Sequence, residues 1–252
     1  MPTPSWPLVA DRTRMPTAGL RVAFDMDGTV ADMHSVLRRE AERLFGAAAI
    51  GSDAQGPQSN VQETAADAGV PQVVAADLSN LNREQLRALW DHVERIDDFW
   101  TTLPETEVGI IARIADTARV RQWDVLFITT RPATAGDSTQ RQTQRWLHAH
   151  GFEFPSVCVL QRSRGRLAAV LQLHAVVDDR PENCLDVAAD SKAKALLIWP
   201  GSPEGMPGGL QRVGIRPMAS IGAAVAWLER YDEERKQSPV IRSVRKFLGR
   251  SE

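Results

Sequence analysis

The segment VAFDMDGTVAD, residues 22–32, runs from apolar residues into Asp25, Asp27 and Asp32, with Gly28 and Thr29 between them. Asp25 and Asp27 are two apart where an apolar run ends, so in an extended chain both carboxylates project to one side. Two carboxylates about 4 Å apart repel by roughly 1 kcal/mol in water and about 4 at an effective dielectric near 20. A cation, a proton or both must therefore accompany the pair. Gly28 permits a tight turn at this point, and Thr29 offers a hydroxyl that can fix the loop.

Three more groups follow apolar runs. LFITTRP ends in Thr129 and Thr130, and AVVDDRPENC ends its run in Asp178 and Asp179. Between them LQRSRGRLAAV carries Arg162, Arg164 and Arg166 at a helix start. If the runs are parallel strands, an acid pair, a hydroxyl, a cation and a second acid pair meet in one crevice. Parallel sheets bind ligands outside the carboxyl ends of their strands.

The elements needed to hold those groups are legible as a pattern. Leu20 to Phe24, Val125 to Ile128, Val157 to Leu160, Ala175 to Val177 and Ala195 to Trp199 are short and almost wholly apolar, as strands buried on both faces are. Helical spacing recurs between them. Ile110, Ile111, Ile114 and Ala118 share a face, and Asp137 or Ser138 can cap a helix that runs through Trp146 and Leu147 to Gly151. Leu167 to Leu173, Pro181 to Ala189 and Ile221 to Trp227 supply three more. The alternation predicts an α/β fold: a doubly wound parallel sheet of Rossmann type.

One interval breaks it. Residues 34–99 read as a helical cap insert, with helices around Val36 to Phe45 and Arg83 to Ile96 flanking the polar piece GSDAQGPQSN. Its place directly after the first strand makes it a candidate lid over the crevice. The expected organisation is an irregular leader over 1–19, a core over 20–33 and 100–230, the cap, and a charged amphipathic tail over 231–252. In that tail Val240, Ile241, Val244, Phe247 and Leu248 share a helical face, suited to the chain's own domain, a partner or a membrane surface.

Bulk properties narrow the function classes. The chain has 252 residues, of which 43% are apolar and 25% charged, and a formal charge of −2, so a packed core is expected and no overall basic field draws in nucleic acid. The Pro-rich leader lacks the apolar run of a signal peptide, and no stretch is long enough to span a membrane. Cys158 and Cys184 stand alone, without metal-ligand spacing. The expectation is a soluble, cytoplasmic protein.

Taken together, Asp25-Met26-Asp27-Gly28-Thr29-Val30-Ala31-Asp32, Thr130 and Asp178-Asp179 resemble the first, second and fourth motifs of the haloacid dehalogenase (HAD) superfamily of phosphohydrolases. The matching segments cover residues 20–33 and 100–200, and the insert carries no signature. The resemblance implies that Asp25 attacks phosphorus to form an aspartyl-phosphate, and that Asp27 protonates the leaving oxygen and later deprotonates water. It implies Mg²⁺ on Asp25, on the backbone carbonyl of Asp27 and on Asp179, with Asp178 alongside. Thr130 and the Gly28 turn would hold the phosphoryl group. The usual lysine of the third motif is missing, because the only lysines are Lys192, Lys194, Lys236 and Lys246. Arg164 is the expected replacement and Arg166 the second choice. The second acid, Asp27, favours phosphate esters over halogenated substrates.

Asp-Met-Asp-Gly, Thr130-Arg131-Pro132 and Asp-Asp-Arg are also similar to segments of 5′(3′)-deoxyribonucleotidases. That likeness implies a small nucleotide-like substrate, with Phe99 and Trp100 stacking on a base and Arg131 beside them, unless the rings serve the core or a hinge. Two alternatives stand next to it. Arg131, Arg141, Arg145 and Trp146 suit a polynucleotide 3′-phosphatase acting on a nucleic-acid end, although no phosphate-cradling G-x-x-x-x-G-K-[ST] of a kinase partner is present. The other alternative is a catalytically weak phosphate-binding or scaffold module.

Overall fold

The computed structural model describes residues 19–47, 78, 80–199, 201 and 205–236. The expected leader, the GSDAQGPQSN piece and the apolar face of the tail lie outside the described residues.

Six strands form one parallel sheet: β1 Arg21–Asp25, β2 Asp124–Thr129, β3 Ser156–Val159, β4 Ala175–Asp178, β5 Lys194–Ile198 and β6 Arg216–Met218. Their order is β3-β2-β1-β4-β5-β6. The chain moves outward from β1 on one side, then returns to start β4 on the other, so a crevice opens where β1 and β4 end. The expected doubly wound α/β architecture is what the chain adopts.

Among the described residues eight α-helices accompany the sheet: α1 Met33–Phe45, α2 Arg83–Val93, α3 Ile110–Arg121, α4 Thr139–Ala149, α5 Arg164–Val170, α6 Pro181–Asp190, α7 Gly208–Arg212 and α8 Ile221–Lys236. Alternate strand residues enter two cores. Val22, Phe24, Phe127, Val177 and Leu196 join the buried faces of α1 to α4 and α8. Ala23, Ile128, Val176, Ala195 and Leu197 join Ala168 of α5, Val187 of α6 and Leu210 of α7. Burial on both faces is why these strands show no polar alternation in the sequence.

Four differences from expectation have physical causes. β6 is Arg216-Pro217-Met218, too short and too proline-bearing to show as a strand, and it is tolerated because it lies at the sheet edge. α7, built on Gly208-Gly209, has no helical pattern. α5 starts at Arg164 because the Ser163 side chain caps it, and it ends before Gln172, whose φ is 51°. α8 runs unbroken to Lys236 with Asp232 buried, so the expected boundary at 231 falls inside a core helix.

The described part of the insert is continuous with the core. Leu37 and Ala41 of α1 and Leu89 and Val93 of α2 belong to the same apolar cluster as Phe24. His92 Nε2 on α2 lies 3.1 Å from Glu40 Oε2 on α1. Asp32 caps α1 by accepting from Ser35 N, so the third acid of the opening segment has a local structural task.

Candidate active site

Asp25 is the last residue of β1, Asp178 is the last of β4 and Asp179 follows it. Each offers a carboxylate oxygen, and these oxygens lie within 4.8 Å of one another. Gly28 makes that approach geometrically feasible. Its φ is 84°, and a Cβ built there would sit 2.2 Å from Asp179 Oδ2. Any side chain would both strain the turn and displace the acid.

The acids are held by donors. Thr29 Oγ1 donates to Asp179 Oδ1 at 3.2 Å, and Asn183 Nδ2 donates to both oxygens of Asp178 at 3.0 and 3.1 Å. The backbone N–H of Arg180 adds a bond of 2.9 Å to Asp178 Oδ1. The Arg180 guanidinium itself turns toward Glu182, 3.8 Å away.

Arg164 is the cation among them. Its Nη2 lies 2.7 Å from Asp25 Oδ1 and its Nε 3.3 Å from Asp178 Oδ2, while only 6% of the side chain is exposed. Its Nη1 is buried without a hydrogen-bond partner among the described residues. Arg166, the other candidate, is 83% exposed and lies 3.7 Å from Asp190. Helix packing makes the choice. Ser163 Oγ donates to both Asp186 oxygens at 2.9 Å, and Gly165 N donates to Asp186 Oδ2 at 2.9 Å. At Gly165 a Cβ would lie 2.1 Å from Asp186 O, so α5 packs on α6 at a distance that only glycine permits. That contact carries Arg164 over the end of β4.

Three carboxylates thus share one guanidinium. Burial raises Asp25 well above the ordinary carboxylate range, with Arg164 opposing and the neighbouring acids adding to the rise. Burial likewise raises Asp178. Asp179 is pushed up to about 7 by burial and then by the Asp178 charge. For Arg164, burial works against its charge, but Asp25 and Asp178 outweigh it and hold the guanidinium protonated. A buried set of hard oxygen donors short of positive charge fits a cation such as Mg²⁺.

Asp27 lives apart from that trio. Arg131 Nε lies 2.9 Å from each of its oxygens, Arg131 Nη2 lies 2.7 Å from Oδ1, and Thr129 Oγ1 donates to Oδ2 at 3.1 Å. Arg131 Nη1 in turn donates to Thr143 Oγ1 at 2.9 Å.

Several expectations need correction. Of the two threonines that end β2 and follow it, Thr129 turns its hydroxyl to Asp27, beside Thr130, the residue expected to hold the phosphoryl group. Adjacent threonines cannot be told apart in the sequence, and only strand register decides which one faces inward. Phe99 and Trp100 are both buried in the core, so neither ring is open for a base to stack on. Trp100 instead lies beneath the Arg131 guanidinium, 4.8 Å from it, and donates from Nε1 to Pro132 O at 3.0 Å. Arg131 is fully buried and faces Asp27 rather than a substrate-binding surface. Asn183, Thr143 and Asp186 went unnoticed because nothing in their spacing distinguishes them from ordinary helix residues.

No protein-family model matches the chain, and no curated protein matches it. Solved structures do. A protein described as a β-phosphoglucomutase from Thermotoga maritima aligns at a TM-score of 0.48 and 13% identity, covering 84% of this chain and 99% of that one. A hydrolase from Pseudomonas syringae aligns at 0.46 and 14%, covering 84% and 98%. A HAD family hydrolase from Deinococcus radiodurans R1, with bound phosphate and sodium, aligns at 0.49 and 16%, covering 84% and 97%.

Proposed function

We propose that the protein is a Mg²⁺-dependent phosphomonoester hydrolase of the HAD type. The observation that carries this reading is the trio of Asp25 and Asp178, buried, and Asp179, half-buried, within 4.8 Å, with Arg164 2.7 Å from Asp25 at the carboxyl edge of a parallel sheet. A structural ion pair has no need of two surplus buried acids, whereas a site for a cation and a phosphate dianion has.

Asp25, Asp179 and Asp178 would hold the metal, joined by the Asp27 carbonyl that the HAD resemblance implies. When bound, the cation neutralises the acids so that a phosphate dianion can approach a carboxylate. The side chains then divide the chemistry. An Asp25 oxygen bonds to phosphorus as the ester P–O bond breaks, and Asp27 gives a proton to the departing oxygen. Water next attacks the aspartyl-phosphate, Asp27 takes its proton, and inorganic phosphate leaves with Asp25 restored. Arg164 keeps an unpartnered buried N–H donor, Nη1, for a phosphoryl oxygen. Its planar fork takes the place of the point charge of the usual lysine.

The substrate class put forward is a small nucleotide-like monoester, supported by the deoxyribonucleotidase-like first and fourth motifs. It would be recognised without Phe99 and Trp100. The test is phosphate release from p-nitrophenyl phosphate, nucleoside 3′- and 5′-monophosphates, sugar phosphates and 3′-phosphorylated oligonucleotides, with Mg²⁺ or chelator. Metal-dependent release that Asp25→Asn abolishes is expected. No release from any of them by folded protein would sink the reading.

A further inference from the structure

We infer that Arg131 is the positioning residue that aims Asp27 at the leaving oxygen. The inference rests on the reading of Asp27 as acid and base.

Arg131 has no access to a phosphate. Its side chain is fully buried, its face covers Trp100 at 4.8 Å, and Nη1 is engaged by Thr143 Oγ1 at 2.9 Å. What it does contact is one carboxylate, through Nε and Nη2 together, which fixes both the place and the plane of Asp27. Both oxygens are engaged: Oδ1 takes the 2.7 Å bond from Nη2 plus a share of Nε, and Oδ2 takes the other share of Nε and the 3.1 Å bond from Thr129. Thr129 Oγ1 itself accepts from Arg131 N at 3.1 Å, so its hydrogen is committed to Oδ2 and its lone pairs to the turn. In the transfer, the O–H bond of the Asp27 carboxyl breaks, its proton goes to the leaving oxygen as the P–O bond breaks, and the electron pair stays on Asp27.

The mounting of Arg131 is rigid from two directions. Beneath it, Trp100 is pinned by Gln142 Oε1, which accepts from Trp100 N at 3.1 Å. Beyond it, the loop after Arg131 is tied to the chain returning from α2: Ala135 N donates to Glu94 O at 2.7 Å, and Asp98 N donates to Ala135 O at 2.9 Å. Arg145 Nη1 closes the same corner on Asp98 Oδ2 at 2.6 Å. A lysine could keep the charge but not the fork, so the plane of the Asp27 carboxyl would no longer be fixed.

The experiment compares an activated aryl ester, p-nitrophenyl phosphate, with an alkyl phosphate under saturating Mg²⁺. An aryl oxide leaves without a proton, whereas an alkoxide needs one. Arg131→Lys and Arg131→Ala are expected to lower kcat on the alkyl ester by on the order of 10²-fold, as Asp27→Asn does, with a far smaller loss on the aryl ester. Combining Asp27→Asn with Arg131→Ala is expected to add nothing. Equal losses on the two esters, additive losses, or full recovery of alkyl turnover by Arg131→Lys would overturn the role. Should the Arg131 variants not fold, Thr143→Val loosens the mounting without unpairing a charge. It must show the same leaving-group bias in a weaker form, and an unbiased loss there overturns the role equally. If the wild-type protein turns over neither ester, the parent reading fails and takes this one with it. If it turns over both, only Arg131 is in question.

Discussion

Buried aspartates occur at both edges of the sheet, and their surroundings are opposite. At the amino edge, Asp232 on α8 is fully buried, and its Oδ2 accepts from Trp123 Nε1 at 3.0 Å and Lys236 Nζ at 2.7 Å, with Arg121 Nη1 3.9 Å away. One carboxylate there meets two cations and an indole. At the carboxyl edge, Asp25, Asp178 and Asp179 share Arg164. A buried acid matched by its own cation, as Asp232 is by Lys236, joins elements, here α3, α8 and the entry to β2. Buried acids in excess of their cations wait for charge from outside.

The sharpest way to break the comparison is to delete one acid from each edge. Asp25→Asn is expected to cut phosphate release by on the order of 10³-fold or more without lowering the melting temperature, since it removes a repelled charge. Asp232→Ala is expected to lower stability by about 1–3 kcal/mol in urea titration, because it leaves the buried Trp123 Nε1 donor without its acceptor and takes from Lys236 its carboxylate. Turnover per folded molecule should persist. If Asp25→Asn unfolds the protein or Asp232→Ala leaves stability untouched, the two edges have been read the wrong way round.

Metal sharpens the contrast at the next level. Mg²⁺ at about 100 times its Kd should raise stability by about 2.7 kcal/mol in wild type and little in Asp179→Asn, read by thermal melts. The pH dependence follows the same logic. Asp179 has a folded pKa of about 7 against an ordinary 3.8, so its favourable contribution is complete below the lower value and lost as pH rises through the upper. Metal-free protein should lose melting temperature across that window, and Mg²⁺ should flatten the slope. The opposite slope would contradict the picture of under-neutralised acids.

Gly165→Ala probes the mounting of Arg164. The added Cβ meets Asp186 O, so α5 must shift, at a cost of about 1–3 kcal/mol. KM for phosphate esters should rise more than in Gly209→Ala, where a Cβ meets nothing. The smallest effect belongs to the amino edge. Burial, with Arg235 and Arg21 nearby, lowers the pKa of His174 below its ordinary 6.5, and Arg21 N donates to its Nδ1 at 2.8 Å. Its contribution is present above 6.5 and lost as pH falls through the lower, folded value. A modest acid destabilisation, absent in His174→Gln, should be visible at saturating Mg²⁺.

Much of this was legible in the residues. Parallel strands buried on both faces must be continuously apolar, so β1 to β5 announced themselves, and parallel order places all their carboxyl ends at one edge, which brings Asp25, Asp178 and Asp179 together. The sequence by itself determined five of the six strands, the acids and the need for a cation. Tertiary structure decided what depends on register and helix contact. It turned the Thr129 hydroxyl to Asp27, brought Arg164 rather than Arg166 to Asp25, and of the two readings of Trp100 took the core one, as the floor beneath Arg131. A side chain's type is local, but the direction it faces is set by what packs behind it. For Arg164 that is Gly165 lying flush on Asp186, and for Asp27 it is an arginine more than a hundred residues away.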